Sequence, residues 1–143
     1  MNKGTYCLLL ELESDEKVEV GSLGDVKLEK GFYCYVGSAF GPGGFKRLGR
    51  HKKLSQTGEG NLHWHMDYVS ELDSSQVTGV FKVPEEKIEC EVAQNLGGEP
   101  VEDFGCSDCD CGSHFFHYKK EEGMLEDVEK AVDEVSRRYV KEF

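Results

Sequence analysis

Residues 31–53, Gly-Phe-Tyr-Cys-Tyr-Val-Gly-Ser-Ala-Phe-Gly-Pro-Gly-Gly-Phe-Lys-Arg-Leu-Gly-Arg-His-Lys-Lys, restrict the fold more than any other stretch of the chain. The first part is aromatic and β-branched and predicts a strand over residues 32–37. Gly37, Gly41, Gly43 and Gly44 with Pro42 stop that strand, and Pro42 suits the first turn of a helix over about residues 43–54. Between Lys30 and Gly58 there is no acidic residue, yet Lys30, Lys46, Arg47, Arg50, Lys52 and Lys53 are all present. In a chain of net charge -11 this is a positive island. An acidic total argues against general affinity for nucleic acid, but phosphate attraction depends on where cations cluster.

The rest of the chain surrounds that segment with short elements. Residues 4–12 are apolar almost throughout and predict a strand covered on both faces. Residues 18–21 and 26–29 alternate around Ser22-Leu23-Gly24-Asp25 and predict a hairpin. Asn61 can cap a short helix through Trp64, His65, Tyr68 and Val69. A strand over residues 77–83 stops at Pro84, and Ile88, Val92 and Leu96 give residues 85–96 a helical period that ends at Gly97-Gly98. Residues 101–118 read as irregular. Residues 122–141 predict an amphipathic helix with Leu125, Val128, Val132, Val135 and Tyr139 on one stripe. The expected class is α+β: a small antiparallel or mixed sheet with an extra N-terminal hairpin, flanked by helices and followed by a C-terminal amphipathic helix. Residues 1–118 are expected to form one domain. Residues 119–143 would be a helical extension that packs on it or makes a weak dimer contact, the alternative being a monomer.

Composition bounds the setting. At 143 residues the chain can bury a core of its own. No apolar run approaches membrane-spanning length, and no basic start leads into an apolar region, so neither a membrane partner nor a signal peptide is expected and a cytoplasmic location follows. Six cysteines in a reducing compartment argue against a disulfide framework, and Cys7, Cys34 and Cys90 read as small buried thiols.

Candidate chemistry begins at Arg47 and His51, which are four apart and share a helix face. A planar guanidinium beside a titratable imidazole suits a site that holds phosphate and moves a proton; a solvated face is the plainer reading. Lys46 and Arg50 add attraction for a phosphate backbone. Tyr6 and Tyr35 alone read as strand packing. His63 and His65 share a face if extended and diverge if helical. Cys106, Cys109, Cys111 and His114 place three thiols and an imidazole within nine residues, a set that could hold Zn²⁺. Against zinc, Cys-x-Cys is tight for one ion and no second knuckle follows. The competing account makes Ser107, Asp108 and His114 a substrate-contacting or supporting loop.

Gly4-Thr5-Tyr6 and Tyr35-Val36-Gly37 resemble the paired signature of the GIY-YIG nuclease superfamily. The chain is further similar to an uncharacterised archaeal and bacterial branch in its Gly-Ser-Ala-x-Gly-Pro-Gly-Gly turn (residues 37–44), His-Trp-His-x-Asp-Tyr segment (63–68), Glu-Cys-Glu helix (89–91) and Ser-Asp-Cys-x-Cys-x-Ser-His segment (107–114). The resemblance covers residues 4–118. It implies tripeptides on neighbouring antiparallel strands and an endonuclease that hydrolyses DNA phosphodiesters by water attack. By the same resemblance Tyr6 and Tyr35 flank the scissile phosphate, one of them positioning or deprotonating the water. Arg47 stabilises transition-state charge and His51 assists proton transfer. His63 and His65 line the site, while Gly37 and Ser38 open the glycine turn. Glu89 or Glu91 supplies the single carboxylate for one Mg²⁺ or Mn²⁺. Two residues apart on a helix they diverge, and spacing favours Glu89. The chain departs from the pattern in the long separation of Tyr6 from Tyr35, which the hairpin fills. It also lacks an asparagine after the Glu89 helix, a place for which residues 107–114 are the candidate. Two other functions compete: a non-catalytic nucleic-acid-binding or interaction module on the same scaffold, and a small zinc-binding protein.

Overall fold

Cys7, Leu8, Leu9 and Leu10 follow one another without a polar break, so a strand built from them needs cover on both faces and a partner on both edges. The computed structural model, which describes residues 4–20, 24–38, 72, 74–101, 113–136 and 139–142, supplies all four. Strand β1 (Gly4–Leu12) pairs antiparallel with β4 (Gly31–Ser38) on one edge and with β5 (Ser75–Pro84) on the other. Beyond β4 come β7 (Phe115–Tyr118) and the two-residue β6 (Glu99–Pro100); beyond β5 comes β8 (Val140–Glu142). The six-stranded order is β6-β7-β4-β1-β5-β8, every neighbouring pair antiparallel. Strands β2 (Glu16–Val20) and β3 (Gly24–Leu28) form a separate two-stranded hairpin, entered on the β3 side by Gly24 at φ 82°. The structure is therefore α+β.

Strand alternation divides the core into two layers. Tyr6, Leu8, Leu10 and Leu12 face Tyr33, Val80 and Phe115, with Val18 and Leu28 of the hairpin closing over them. Cys7, Leu9, Cys34, Val36, Phe81, Val83, Phe116 and Tyr118 face the helices α1 (Glu89–Asn95) and α2 (Glu121–Val135). Within α2 the stripe buries Met124, Val128, Ala131 and Val132. Full burial of each leucine of β1 is worth about 1.5–3 kcal/mol, which makes this strand the largest single contributor to the sheet.

Three elements differ from the sequence expectation, each for a visible reason. The helix expected from residue 85 begins at Glu89. Glu85 sits at φ 66°, and Thr5 Oγ1 accepts from the Ile88 N–H at 2.9 Å while donating to the Glu86 carbonyl at 2.7 Å, so the approach is held off the helix path. The last helix ends at Val135 because Ser136 turns extended and gives its hydroxyl to Glu86 Oε2; the chain then re-enters the sheet as β8. Residues 115–118, expected to be irregular, form a buried strand: Phe116 and Tyr118 face the helices, and Phe115 stacks on Tyr33 with ring centroids 4.8 Å apart. Among the described residues no helix is long and apolar enough to cross a membrane.

Candidate functional site

The two tripeptides meet at one end of the sheet. In the β1–β4 ladder Tyr6 stands opposite Gly37 and Leu8 opposite Tyr35, so both tyrosines share a face, with ring centroids 6.2 Å apart and planes inclined by 52°. Tyr6 is buried and Tyr35 half-buried. Gly37 is what lets the Tyr6 ring lie across β4: a Cβ there would stand 2.5 Å from Tyr6 Oη and nearer still to Cζ. No L side chain fits that space without moving the ring. On the other flank Lys82 of β5 stands directly opposite Tyr6. Directly opposed residues of an antiparallel pair project to one face, so this half-buried cation joins Tyr6 and Tyr35. Sequence reading overlooked Lys82; the signal was a lone lysine in the otherwise apolar run Val80-Phe81-Lys82-Val83.

A second cluster lies at the same end of the sheet, on the opposite face. The Thr5 clamp delivers the chain into α1, whose first residue is Glu89. Glu89 is half-buried, and its Oε2 is enclosed with no hydrogen-bond partner among the described residues. Glu91 is exposed, so of the two glutamates only Glu89 turns inward. Next to Glu89, Cys90 Sγ lies 3.8 Å from His114 Nε2. His114 immediately precedes β7, and its carbonyl accepts from the Val36 N–H at 2.8 Å, which fixes its level beside the second tripeptide. Burial lowers the His114 pKa from the ordinary imidazole value, while the Glu89 carboxylate and a hydrogen bond to the Val36 backbone act in the opposite sense. Thr5 was also missed: it lies inside the first tripeptide, but only a long-range contact reveals its clamp.

Of the residues expected to form the site, the structure thus brings together Tyr6, Tyr35 and Gly37 on one face and Glu89 and His114 on the other. Ser38 ends β4 beyond Gly37, opposite Thr5 in the ladder. Arg47, His51, Lys46, Arg50, His63, His65, Ser107, Asp108, Cys106, Cys109 and Cys111 lie outside the described residues. So do the two helices expected over residues 43–54 and 61–69. Among the described residues no group of three or more His, Cys, Asp or Glu side chains is placed to hold a metal ion. Glu89 fits a looser demand. Mg²⁺ and Mn²⁺ accept a single protein carboxylate and complete their shell with water and phosphate oxygens, and an enclosed, unpartnered carboxylate oxygen is a donor of that kind.

Comparison with known proteins gives one match, and neither the curated proteins nor the solved structures yield another. The matching family model, described as a domain of unknown function, spans residues 5–137 and so takes in β1, the Thr5 clamp, both tripeptides and all of α2. The chain belongs to this family, DUF123.

Proposed function

We propose that the chain is an endonuclease of the GIY-YIG type that hydrolyses DNA phosphodiesters by water attack, with one Mg²⁺ or Mn²⁺ at Glu89. The observation that carries this reading is the in-register pairing of Gly4-Thr5-Tyr6 with Tyr35-Val36-Gly37, which sets two tyrosine rings side by side at one end of the sheet. In the proposed reaction Tyr6 and Tyr35 hold a phosphate between their hydroxyls, and one of them orients the water and takes its proton. Lys82, opposite Tyr6, attracts the phosphate, and Arg47 offers the guanidinium that meets developing negative charge. His51 and the pair His63 and His65 are the candidates for proton transfer to the leaving oxygen. When bound, the metal would polarise a phosphoryl oxygen.

A non-catalytic nucleic-acid-binding module on the same scaffold is the second reading. It is favoured by the placement of Glu89 on the helix-covered face while Tyr6 and Tyr35 occupy the other. Nicking of supercoiled plasmid with Mg²⁺ or Mn²⁺ separates the two. The enzyme reading expects nicking that falls by about 10²-fold or more in Arg47→Ala, Tyr6→Phe and Glu89→Gln. Absence of cleavage on supercoiled, flapped and branched DNA with either ion would sink it, and salt-sensitive binding without cleavage would leave the module.

A further inference from the structure

The proposed hydrolysis makes no use of Cys90, yet Cys90 is the described thiol best placed to react. Cys7 and Cys34 are 1% and 0% exposed, and burial together with the Cys7 neighbour pushes the Cys34 thiol well above its ordinary pKa. Cys90 is half-buried, with Sγ 3.8 Å from His114 Nε2, within reach of a weak S–H···N hydrogen bond. The His114 ring also bonds the Val36 backbone in a sense that favours its protonated form, as only an accepting carbonyl does. A neutral imidazole that donates from one nitrogen presents the other as an acceptor, and Nε2 is the nitrogen at the thiol. Glu89, adjacent in sequence to Cys90, acts on the same ring with a charge that favours the imidazolium. Thiol, imidazole and carboxylate therefore stand in the order of an activated nucleophile, its base, and a group that stabilises the charged base.

We infer that Cys90 is a thiol–disulfide exchange site, activated by His114 and selective for small disulfides that reach the entrance of α1. As Sγ attacks one sulfur of the incoming disulfide, its proton passes to His114 Nε2. A new S–S bond forms at Cys90, the original S–S bond breaks, and the departing thiolate leaves with the electron pair and is protonated by His114 or water. The disulfide is the only co-reactant, and the product is a mixed disulfide beside Glu89. Any effect of that adduct on metal binding at Glu89 rests on the nuclease reading, whereas the exchange chemistry does not.

The test uses the full chain and dithiodipyridine, with the rate followed by release of the aromatic thione and each adduct located by peptide mass mapping. Cys90 is expected to react ahead of Cys7 and Cys34, and its rate to fall about tenfold or more in His114→Gln. Because His114→Gln removes a buried ring, the wild-type pH profile is a second measurement that needs no variant. With a neutral His114 as base, the Cys90 rate holds as pH falls to about 6.5 and declines only as His114 protonates, whereas an ordinary thiol loses about tenfold per pH unit below its own pKa. Ordinary-thiol pH dependence in the folded chain, at the rate seen for Cys90 in urea, would overturn the inference. So would one bound zinc per chain that shields Cys90 and disappears in Cys90→Ser, since the thiol would then be a metal ligand.

Discussion

The closest fit in the described structure is the Tyr6 ring over Gly37, and Gly37→Ala probes it directly. An added methyl would stand 2.5 Å from Tyr6 Oη and 2.9 Å from Cε2, and the obstacle is a ring held in the core rather than a flexible tip. The ring must swing outward. Aromatic side chains bury roughly 150–250 Å², so lifting Tyr6 half out exposes on the order of 100 Å² and costs about 2.5 kcal/mol at about 25 cal/mol per Å². Disturbing the Tyr6–Tyr35 ring pair adds about 0.5–1.5 kcal/mol. Replacing glycine by alanine within a strand returns about 0.5–1 kcal/mol. The net loss is about 2–3 kcal/mol, read as a lower urea midpoint at unchanged slope. In a Tyr6→Ala background the obstacle is gone, and Gly37→Ala should then be neutral or stabilising by up to about 1 kcal/mol. The coupling between the two sites is therefore about 2–4 kcal/mol. Equal losses in both backgrounds would refute the claim that Gly37 exists to seat Tyr6.

Thr5→Val keeps the shape of the side chain but removes both hydrogen bonds to the α1 approach; a loss of about 1–3 kcal/mol, with faster amide exchange in α1, is the expected result. Tyr33 and Tyr118 are buried phenols whose pKa values are raised above the ordinary 10.0, Tyr33 mainly by burial and then by Glu29, Tyr118 by burial and then by Cys34 and Asp127. A raised phenol favours the fold fully below its unfolded pKa, so stability should decline as pH rises above about 10, and Tyr118→Phe should flatten that decline in chemical denaturation. The lowered pKa of His114 acts at the other end: its contribution is complete above the unfolded value of 6.5 and is lost as pH falls through the folded one. The acid limb of the stability profile should therefore soften in His114→Gln. Lys82→Met should leave the fold intact, weaken binding to DNA and lower the salt slope by about one, measured by fluorescence anisotropy over a salt series.

Legibility in the sequence followed the range of the interactions involved. The fully buried centre strand, the hairpin and the order of strands could be read from short patterns, because apolar runs and glycine turns act within a few residues. The α1 boundary could not. Pro84 and the periodicity of Ile88, Val92 and Leu96 allow a helix from residue 85, and only the hydroxyl of Thr5, more than eighty residues earlier, holds the chain back to Glu89. The end of α2 failed for the same reason, since Ser136 leaves the helix for Glu86, fifty residues away. For the candidate site, the pairing of the tripeptides followed from their composition and the following glycine turn. The division into two faces depends on strand parity and on which face the helices cover, which no local pattern reports. Lys82 and Cys90 gained meaning only from what stands across from them.

The C-terminal strand has a role beyond completing the sheet. Val140, Lys141 and Glu142 pair with Lys82, Phe81 and Val80, covering the outer main-chain groups of β5 where that strand is most apolar. Tyr139 packs on Phe81, and Tyr139 and Lys141 both reach Glu129 of α2, so three short-range contacts hold β8 in place. Such a strand is a plug. Fraying or proteolytic loss of the last residues would present Val80-Phe81-Lys82 as an open template onto which another chain could add a strand. The solubility of the protein thus depends on the closing residues of its own chain, and a truncation made to trim a flexible-looking tail would be expected to convert a monodisperse preparation into an aggregating one.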